Sequence, residues 1–291
     1  MALRVAAWGL LLVAAATPLV AGSRVLQDES EVPNIVMFSV DDSLLDGTWG
    51  LAYDDVVLAS GAQSPAGCRP PITWFINCCA HGGTSSDCPS VQRAHALGHE
   101  IATHTMSHSH DTLTYDQSQW SDDVGGQRDW TVNECGIPAD EVVGFRAPFF
   151  KTTDVLGQVL QDLGFMYDSS LRGEGESGDL LAAGRLGSTS PDCHGSEDST
   201  CNWSGFSFWE VPAYAPPGGG RSDPEPVDGM STLERFQADF DRKQGTGIPV
   251  SIIVHGPFLE DPNEKQDIAD FLAWAAEQPN TWFLTYRQFI A

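Results

Sequence analysis

The stretch IVMFSVDD, residues 35–42, decides how the rest of the chain is interpreted. It is a short run, rich in apolar and β-branched residues, that ends in two adjacent carboxylates, Asp41 and Asp42. A run of this length and composition is typical of a buried strand. Because successive side chains of a strand point in different directions, one carboxylate can bind a metal ion while its neighbour acts as a base. The same pair of residues also occurs in ordinary turns.

Similar runs recur along the chain, and helical patterns separate them. We predict further strands at 72–77, 100–104, 142–147, 165–168, 208–212, 250–255 and 282–286, and helices at about 50–60, 89–97, 116–134, 153–163, 231–243 and 265–277. Repeated alternation of strand and helix indicates parallel strands joined by crossovers. The predicted fold class is therefore α/β: an irregular or incomplete (β/α) barrel of about seven to eight parallel strands in a single domain, with an open doubly wound sheet as the alternative.

Two stretches interrupt this alternation. Residues 172–203 are rich in Gly, Ser and Asp, and residues 215–228 are rich in Pro and Gly. Both compositions predict surface loops. Loops of this length inside a compact domain either form the walls of a substrate groove or decorate the fold, and both interpretations stay open.

The charge of the chain excludes several classes of partner. The 291 residues carry 40 acidic and 15 basic side chains, which gives a formal net charge of −25. Nucleic acid and anionic membrane surfaces repel such a protein, so we expect neither as a partner. A neutral or cationic substrate is compatible with this charge, although the same excess also keeps a protein in solution.

The first residues have the pattern of a secretory signal peptide. Arg4 precedes an apolar run at 5–16, and small residues follow at 21–23. The apolar run is shorter than the roughly 20 residues that are needed to span a bilayer. We therefore predict a signal peptide at 1–22, a folded domain at 33–291, and a secreted, extracellular monomer without membrane attachment after cleavage.

The seven cysteines fit an oxidising compartment, where disulfides form. An odd number leaves one thiol free or paired outside the chain. The best local pairing is Cys193 with Cys201, which closes a short polar loop. Cys78 and Cys79 are expected to point apart along a strand, so no zinc finger is predicted. Asn202 begins an Asn-x-Ser sequon, whose glycan would be compatible with export.

A second group of metal-competent residues lies at the end of the predicted strand at 100–104 and just after it. His104 and His108 are four residues apart, so both imidazoles lie on one side if a helical turn follows the strand. With Asp42 they would form a set of two histidines and one carboxylate with open coordination positions, which is typical of a catalytic metal site. His110 would compete for the ion, but it falls on another face of such a turn.

Two more polar residues end predicted strands. Arg146 lies near the end of the strand at 142–147, and His255 ends the strand at 250–255. In a parallel barrel both would face the mouth formed by the carboxyl ends of the strands, where active sites assemble. The alternatives are a surface salt bridge for Arg146 and a buried, hydrogen-bonded structural role for His255.

These motifs together resemble the polysaccharide deacetylase family, also called carbohydrate esterase family four or NodB-like. The family patterns Thr-Phe-Asp-Asp, His-Ser/Thr-x-x-His, Arg-x-Pro-Tyr/Phe and Leu-x-His correspond in order to residues 39–42, 104–108, 146–149 and 253–255. The resemblance covers roughly residues 33–290. The stretches GHEIA at 98–102, YDSS at 167–170 and FWEVP at 208–212 make the chain most similar to arthropod-like chitin deacetylases.

The resemblance implies a metal site and a base. Zinc, or another divalent transition metal such as cobalt, would be held by Asp42, His104 and His108 and would activate water and polarise the acetyl carbonyl. Asp41 would take the proton of the water. Arg146 would fix Asp41 and keep it ionised, because a neighbouring positive charge favours the carboxylate.

The resemblance also implies the remaining parts of the site. The backbone N–H of Phe149 would stabilise the oxyanion, and His255 would protonate the departing amine. Trp209, like Trp74 and Trp203, would either line a sugar subsite or belong to the core. The family's acidic motif that orients the catalytic histidine is absent in its bacterial form, and Glu210 and Asp168 are the candidates for that role.

The expected function is hydrolysis of N-acetyl groups in chitin or N-acetylglucosamine oligosaccharides. Two alternatives remain: a non-catalytic carbohydrate-binding protein on the same fold, and an esterase that removes O-acetyl groups from xylan-like glycans. A serine hydrolase is not expected, because the chain contains no Gly-x-Ser-x-Gly motif.

Overall fold

The structure is a computed structural model, and it describes residues 32–80, 85–174, 179–186, 203 and 205–291. Several predictions concern residues outside this part of the chain. They are the signal peptide at 1–22, the pairing of Cys193 with Cys201, and the sequon at Asn202.

The architecture is a single curled sheet of nine strands with helices packed outside it. Eight strands are parallel, and β6 runs antiparallel to β7. The predicted α/β barrel is therefore confirmed. The strands are β1 Asn34–Asp42, β2 Ile72–Ile76, β3 Glu100–Thr103, β4 Gly144–Phe145, β5 Tyr167–Asp168, β6 Gly184–Arg185, β7 Trp209–Glu210, β8 Val250–His255 and β9 Thr281–Phe283.

The barrel is incomplete. The strands follow the order β6-β7-β5-β4-β3-β2-β1-β8, and β9 pairs with the start of β1. Across the described residues, no strand pairing joins β8 to β6 or β7, so the ring of hydrogen bonds stays open on that side. The parallel register places Asp41 of β1 beside Phe75 of β2 and His255 of β8. The carboxyl ends of these strands therefore meet at one mouth.

The helices follow their local sequence signals. The helix at 154–163 begins after Thr153, whose side chain accepts a hydrogen bond from Leu156 N, and ends at Gly164 with φ 74°. The next long helix begins with a capping box formed by Ser231 and Glu234. The α-helices are α1 Asp46–Trp49, α2 Cys88–Ala96, α3 Gln117–Trp120, α4 Gly126–Asn133, α5 Asp154–Leu163, α6 Thr232–Lys243, α7 Pro262–Ala276 and α8 Tyr286–Ile290. Two π-helical segments, Gly50–Leu58 and Ser121–Gly125, and the 3₁₀ turns Thr112–Thr114, Pro148–Phe150 and Gly256–Glu260 complete the set.

The helical pattern predicted at 116–134 is divided by one of these π-helical segments. The hydrophobic period of the sequence indicates a single α-helix, whereas the structure contains α3, the wider turn Ser121–Gly125 and then α4. Trp120, just before the wider turn, and Val124, within it, remain buried. The turn therefore changes which side chains face the sheet without breaking the helix's contact with the core.

The side chains of β1 divide between two hydrophobic clusters, as the alternation of a strand requires. Val36, Phe38 and Val40 pack in the large cluster that also contains Phe236 and Phe271 of the outer helices. Met37 packs on the other face in a smaller, interior cluster, whose further buried members are Phe75, Ala102, Tyr167, Val211 and Tyr286. Side chains thus fill the barrel interior.

The cysteine arrangement corrects one prediction. Cys78 and Cys79 form a disulfide with each other, and Cys88 pairs with Cys135. The expectation that Cys78 and Cys79 point apart is wrong because β2 ends at Ile76, so both residues lie in the loop after the strand rather than in its pleat. Of the cysteines in the described residues, Cys68 is free and exposed.

A search of the described residues for membrane-spanning helices finds none of sufficient length and hydrophobicity.

Candidate metal centre and catalytic mouth

Three predicted ligands meet at the mouth of the barrel. Nε2 of His108 lies 2.9 Å from Oδ1 of Asp42, and Nε2 of His104 lies 3.6 Å from the same oxygen. One ligand atom from each residue lies within 4.8 Å of the others. The histidines converge through an irregular loop after β3, not through the helical turn considered from the sequence.

The protonation of His104 suits a metal ligand. Its Nδ1 lies 2.8 Å from the carbonyl oxygen of Arg146, which can only accept a hydrogen bond, so Nδ1 carries the proton. The remaining lone pair on Nε2 then faces the carboxylate of Asp42. Burial lowers the pKa of His104 to about 4, so the ring is neutral at physiological pH. Two electron-rich atoms that face each other in this way fit a cation placed between them, as zinc ligation requires.

The third predicted ligand, Asp42, is ionised. Burial alone would raise the pKa of Asp42, but the hydrogen bond with His108 and the charges of His104 and His255 lower it below its ordinary value. With two imidazoles and one carboxylate, the donor set matches that of a catalytic zinc or cobalt site.

Backbone strain is concentrated around this mouth. The left-handed region of φ disfavours residues other than glycine, and such strain is most often found at functional sites. Six of the eight non-glycine residues with positive φ among the described residues belong to the motifs or loops that form the site. They are Asp42, Thr105, His108, Phe149, Phe150 and Asp223, with φ values of 79°, 59°, 50°, 56°, 55° and 48°.

Asp41 is held in a buried ion pair. Its Oδ1 accepts a hydrogen bond of 2.6 Å from Nη1 of Arg146, and both side chains are almost fully buried. Arg146 also donates to the side chains of Ser39 and Tyr286, while its Cζ lies 3.9 Å from the ring centre of Phe75. Arg146 is therefore fixed on top of the interior aromatic cluster, and it holds Asp41 at the mouth.

His255 is held by Asp223, a residue that the sequence analysis missed. Nδ1 of His255 donates to Oδ2 of Asp223 over 2.6 Å, and its backbone N–H donates to Oδ1 over 2.8 Å. Nε2 of His255 lies 4.0 Å from Oδ2 of Asp42, so the ring faces the ligand set. The signal in the sequence is weak: Asp223 is one acid within the Pro- and Gly-rich stretch 215–228, which is predicted as a surface loop.

The structure places Glu210 and Asp168, the two candidates for orienting His255, elsewhere. They hydrogen bond to each other in the sheet, and burial raises the pKa of both carboxyl groups. Asp168 also accepts from the backbone N–H and hydroxyl of Ser170, whose hydroxyl oxygen accepts from Ala147 N. The pair therefore supports the strand end that leads into Phe149.

The two predicted substrate-binding residues have different surroundings. Phe149 is 37% exposed. The centre of its ring lies 4.7 Å from the ring centre of His108 and 3.9 Å from that of His110. Within the described residues its backbone N–H has no hydrogen-bond acceptor. Trp209 is partly buried against the interior cluster and pairs with Tyr167, deeper in the sheet than the mouth.

The two other tryptophans considered for a sugar subsite lie in the core. Trp74 and Trp203 are both fully buried. Trp203 donates a hydrogen bond from its ring nitrogen to the carbonyl of Thr153. Neither presents a ring face to solvent.

Comparison with known proteins agrees with the motifs. No family model matches the chain. Chitin deacetylase 1 of Bombyx mori is 24% identical over an alignment of 286 residues, gaps included, and the alignment covers 89% of this chain and 51% of that protein. The chain thus spans about half the length of the curated relative that it matches.

Solved structures share the fold. A protein from Mycobacterium smegmatis assigned as a polysaccharide deacetylase has a TM-score of 0.56 at 17% identity, over 90% of each chain. A probable polysaccharide deacetylase from Pseudomonas aeruginosa has a TM-score of 0.52 at 16% identity, over 88% of this chain and 90% of the other. The curated relative, the shared fold and the ordered motifs confirm that this chain resembles the polysaccharide deacetylases, with a chitin deacetylase among its relatives.

Proposed function

We propose that the protein is a secreted, metal-dependent deacetylase that hydrolyses the N-acetyl groups of chitin or N-acetylglucosamine oligosaccharides and releases acetate. The observation that carries the proposal is the convergence of three elements at one mouth. They are the donor set of Asp42, His104 and His108, the ion-paired base Asp41, and the imidazole of His255 held by Asp223. The chitin deacetylase relative supports the choice of substrate.

The metal would be zinc or cobalt. When bound, such an ion supplies a Lewis acid that acidifies water and polarises the acetyl carbonyl. Asp41 accepts the proton of the attacking water as a general base. Its bond to Arg146 keeps one oxygen occupied, so the proton goes to the other oxygen.

The other half of the reaction needs a hydrogen-bond donor for the oxyanion and a general acid for the departing amine. The backbone N–H of Phe149 is available to donate a hydrogen bond to the developing oxyanion, and this contribution does not depend on the side chain. Nε2 of His255 gives its proton to the departing amine, since an amide nitrogen is a poor leaving group until it is protonated. Asp223 fixes the tautomer that leaves Nε2 facing the site.

The predicted localisation and partners complete the proposal. A net charge of −25 is compatible with a neutral glycan such as chitin and repels polyanions. The disulfides Cys78–Cys79 and Cys88–Cys135 suit an oxidising, extracellular compartment. The protein would act as a soluble monomer after removal of residues 1–22.

The test is acetate release by the purified chain, with and without added zinc, after treatment with a chelator. We expect release from N-acetylglucosamine oligomers that depends on the metal. Acetylated xylan serves as the second substrate, and faster release from xylan than from the oligomers would favour the esterase instead. A zinc-loaded protein that binds the oligomers but releases no acetate from either substrate would identify a non-catalytic binding protein.

A further inference from the structure

The loop between the two histidine ligands is held from outside by Asp123. Oδ1 of Asp123 accepts hydrogen bonds from the backbone N–H groups of Met106 and Ser107, over 3.0 and 2.7 Å. Oδ2 accepts from the hydroxyl of Ser107 over 2.8 Å, and the carbonyl oxygen of Asp123 lies 2.9 Å from Met106 N. One acidic residue thus contacts both residues at the centre of the segment that joins His104 to His108.

This loop has little regular structure of its own to fix its shape. β3 ends at Thr103, and the next element is the short turn at Thr112–Thr114. Thr105 and His108 both have positive φ, which a β-branched residue such as Thr105 strongly disfavours. The spacing of His104 and His108 therefore depends on contacts that hold the loop in a strained conformation.

The other hydrogen bonds to the loop are fewer than those that Asp123 accepts. The hydroxyl oxygen of Thr105 accepts from His108 N over 3.1 Å, within the loop itself. The backbone N–H of Cys79 donates to the carbonyl of Met106 over 3.1 Å. The only anionic side chain that a hydrogen bond joins to residues 105–107, within the described residues, is Asp123, and bonds to a charged acceptor are stronger than those between neutral groups.

The position of Asp123 is itself well fixed. It lies in the π-helical turn Ser121–Gly125, with Trp120 and Val124 buried in the core on either side. Asp123 is 7% exposed, whereas its neighbour Asp122 is exposed. Single π-helical turns inside α-helices are frequent at functional sites, and here the turn directs one of two consecutive acids inward.

We propose that Asp123 is a positioning residue for the metal centre: its carboxylate sets the loop so that His108 reaches Asp42 and His104 in the geometry that binds the ion. The proposal rests on the metal site of the proposed function, but not on the substrate or the reaction. It assigns Asp123 a role outside the ligand set, comparable to that of the groups that hold ligands in other metal proteins.

The test measures zinc affinity rather than catalysis. Asp123→Asn keeps the size of the side chain but removes its charge and puts an amide N–H₂ in place of the oxygen that accepts from the Ser107 hydroxyl. We expect the zinc dissociation constant, measured by competition with a chromogenic chelator, to rise about 10-fold to 100-fold. Asp122→Asn, which removes the same charge from the adjacent exposed position, should leave the dissociation constant unchanged.

A general loss of fold must be separated from a local effect. Thermal unfolding of both variants in chelator reports on the metal-free protein, and the proposal expects a much larger change in zinc affinity than this stability change explains. If Asp123→Asn does not fold, Ser107→Ala replaces it, because that variant removes only the hydroxyl donor to Oδ2. Ser107→Ala should weaken zinc binding several-fold.

The outcomes are distinguishable from failure of the proposed function. Unchanged zinc affinity in a folded Asp123→Asn variant, or in Ser107→Ala if that variant is needed, overturns the role of Asp123 while leaving the metal site intact. Wild-type protein that binds no zinc overturns both the metal site and the role of Asp123. A protein that binds zinc normally but lacks deacetylase activity contradicts only the proposed reaction.

Discussion

Nδ1 of His255 lies 2.6 Å from Oδ2 of Asp223, a residue 32 positions earlier in the chain. Burial would lower the pKa of His255, but its hydrogen bond to Asp223 and the charges of Asp41, Asp223 and Asp42 raise it to about 9. The imidazole is therefore protonated at neutral pH in the metal-free protein. A protonated ring whose Nε2 faces the ligand set is a suitable general acid.

Asp223→Asn should change the pH dependence of catalysis. The acid must be protonated to act, so kcat falls as the pH rises through the pKa of His255. Because Asp223 raises that pKa, its replacement lowers it, and the alkaline limb of the kcat profile should move to lower pH. The profile is measured between pH 5 and 10 on N-acetylglucosamine oligomers at saturating zinc.

Asp228→Asn is the matched control for this experiment. Asp228 lies in the same loop, is exposed, and also has a positive φ of 52°. It should leave the profile unchanged. An Asp223→Asn variant whose alkaline limb coincides with that of the wild type would show that Asp223 does not set the proton affinity of the acid.

Asp41→Asn should separate catalysis from metal binding. The change removes the proton acceptor but none of the proposed ligands, so zinc stays bound while acetate release falls by about 10²-fold to 10⁴-fold. The variant also leaves Arg146 buried without its anionic partner, so circular dichroism must confirm that it folds. Loss of zinc from a folded variant would instead identify Asp41 as a ligand, and unchanged activity would contradict its role as the base.

The sequence predicts most of the mouth because parallel strands end together. Asp42, His104, Arg146 and His255 each follow an apolar run, and the fold that these runs indicate brings their carboxyl ends to one edge. No apolar run precedes Asp223 to predict its position, because it belongs to an irregular segment whose path depends on tertiary contacts. Its backbone N–H donates to the carbonyl of Ile253, which places the segment along the free edge of β8.

No sequence pattern predicts the role of Asp123 either. Hydrophobic periodicity predicts one α-helix at 116–134, in which neighbouring acids look equivalent. The hydrophobic periodicity does not indicate the π-helical turn that distinguishes Asp123 from Asp122. For the same reason, the spacing of His104 and His108 is compatible with a helical turn, although a strained loop brings the two rings together.

Acid should destabilise the protein partly through His99. Burial lowers its pKa to about 4 from an ordinary 6.5, and Nδ1 accepts a hydrogen bond from Ile72 N over 2.8 Å. Between these values the unfolded chain binds a proton that the folded chain does not, so the free energy of unfolding falls as the pH is lowered from 6.5 to 4. A shift of this size corresponds to about 3 kcal/mol.

His99→Asn isolates this contribution, because the amide oxygen can accept the same hydrogen bond but does not titrate. Urea unfolding in chelator at pH 7.5 and 4.5 should show a smaller loss of stability in the variant than in the wild type. The contribution of His104, whose pKa is also lowered, is common to both proteins and cancels in the comparison. Equal losses in the two proteins would show that His99 is not a source of the acid sensitivity.

His255→Ala should affect two kinds of substrate unequally. The amine of an N-acetyl group must be protonated to depart, whereas the phenolate of an activated aryl acetate leaves unaided. Hydrolysis of the amide should therefore fall far more than hydrolysis of the ester. Both rates are compared with those of the wild type at equal zinc occupancy, because Nε2 of His255 lies only 4.0 Å from Asp42, a proposed ligand. If both rates fall by the same factor, His255 acts mainly on the oxyanion or on the shape of the mouth, and the assignment of the acid is wrong.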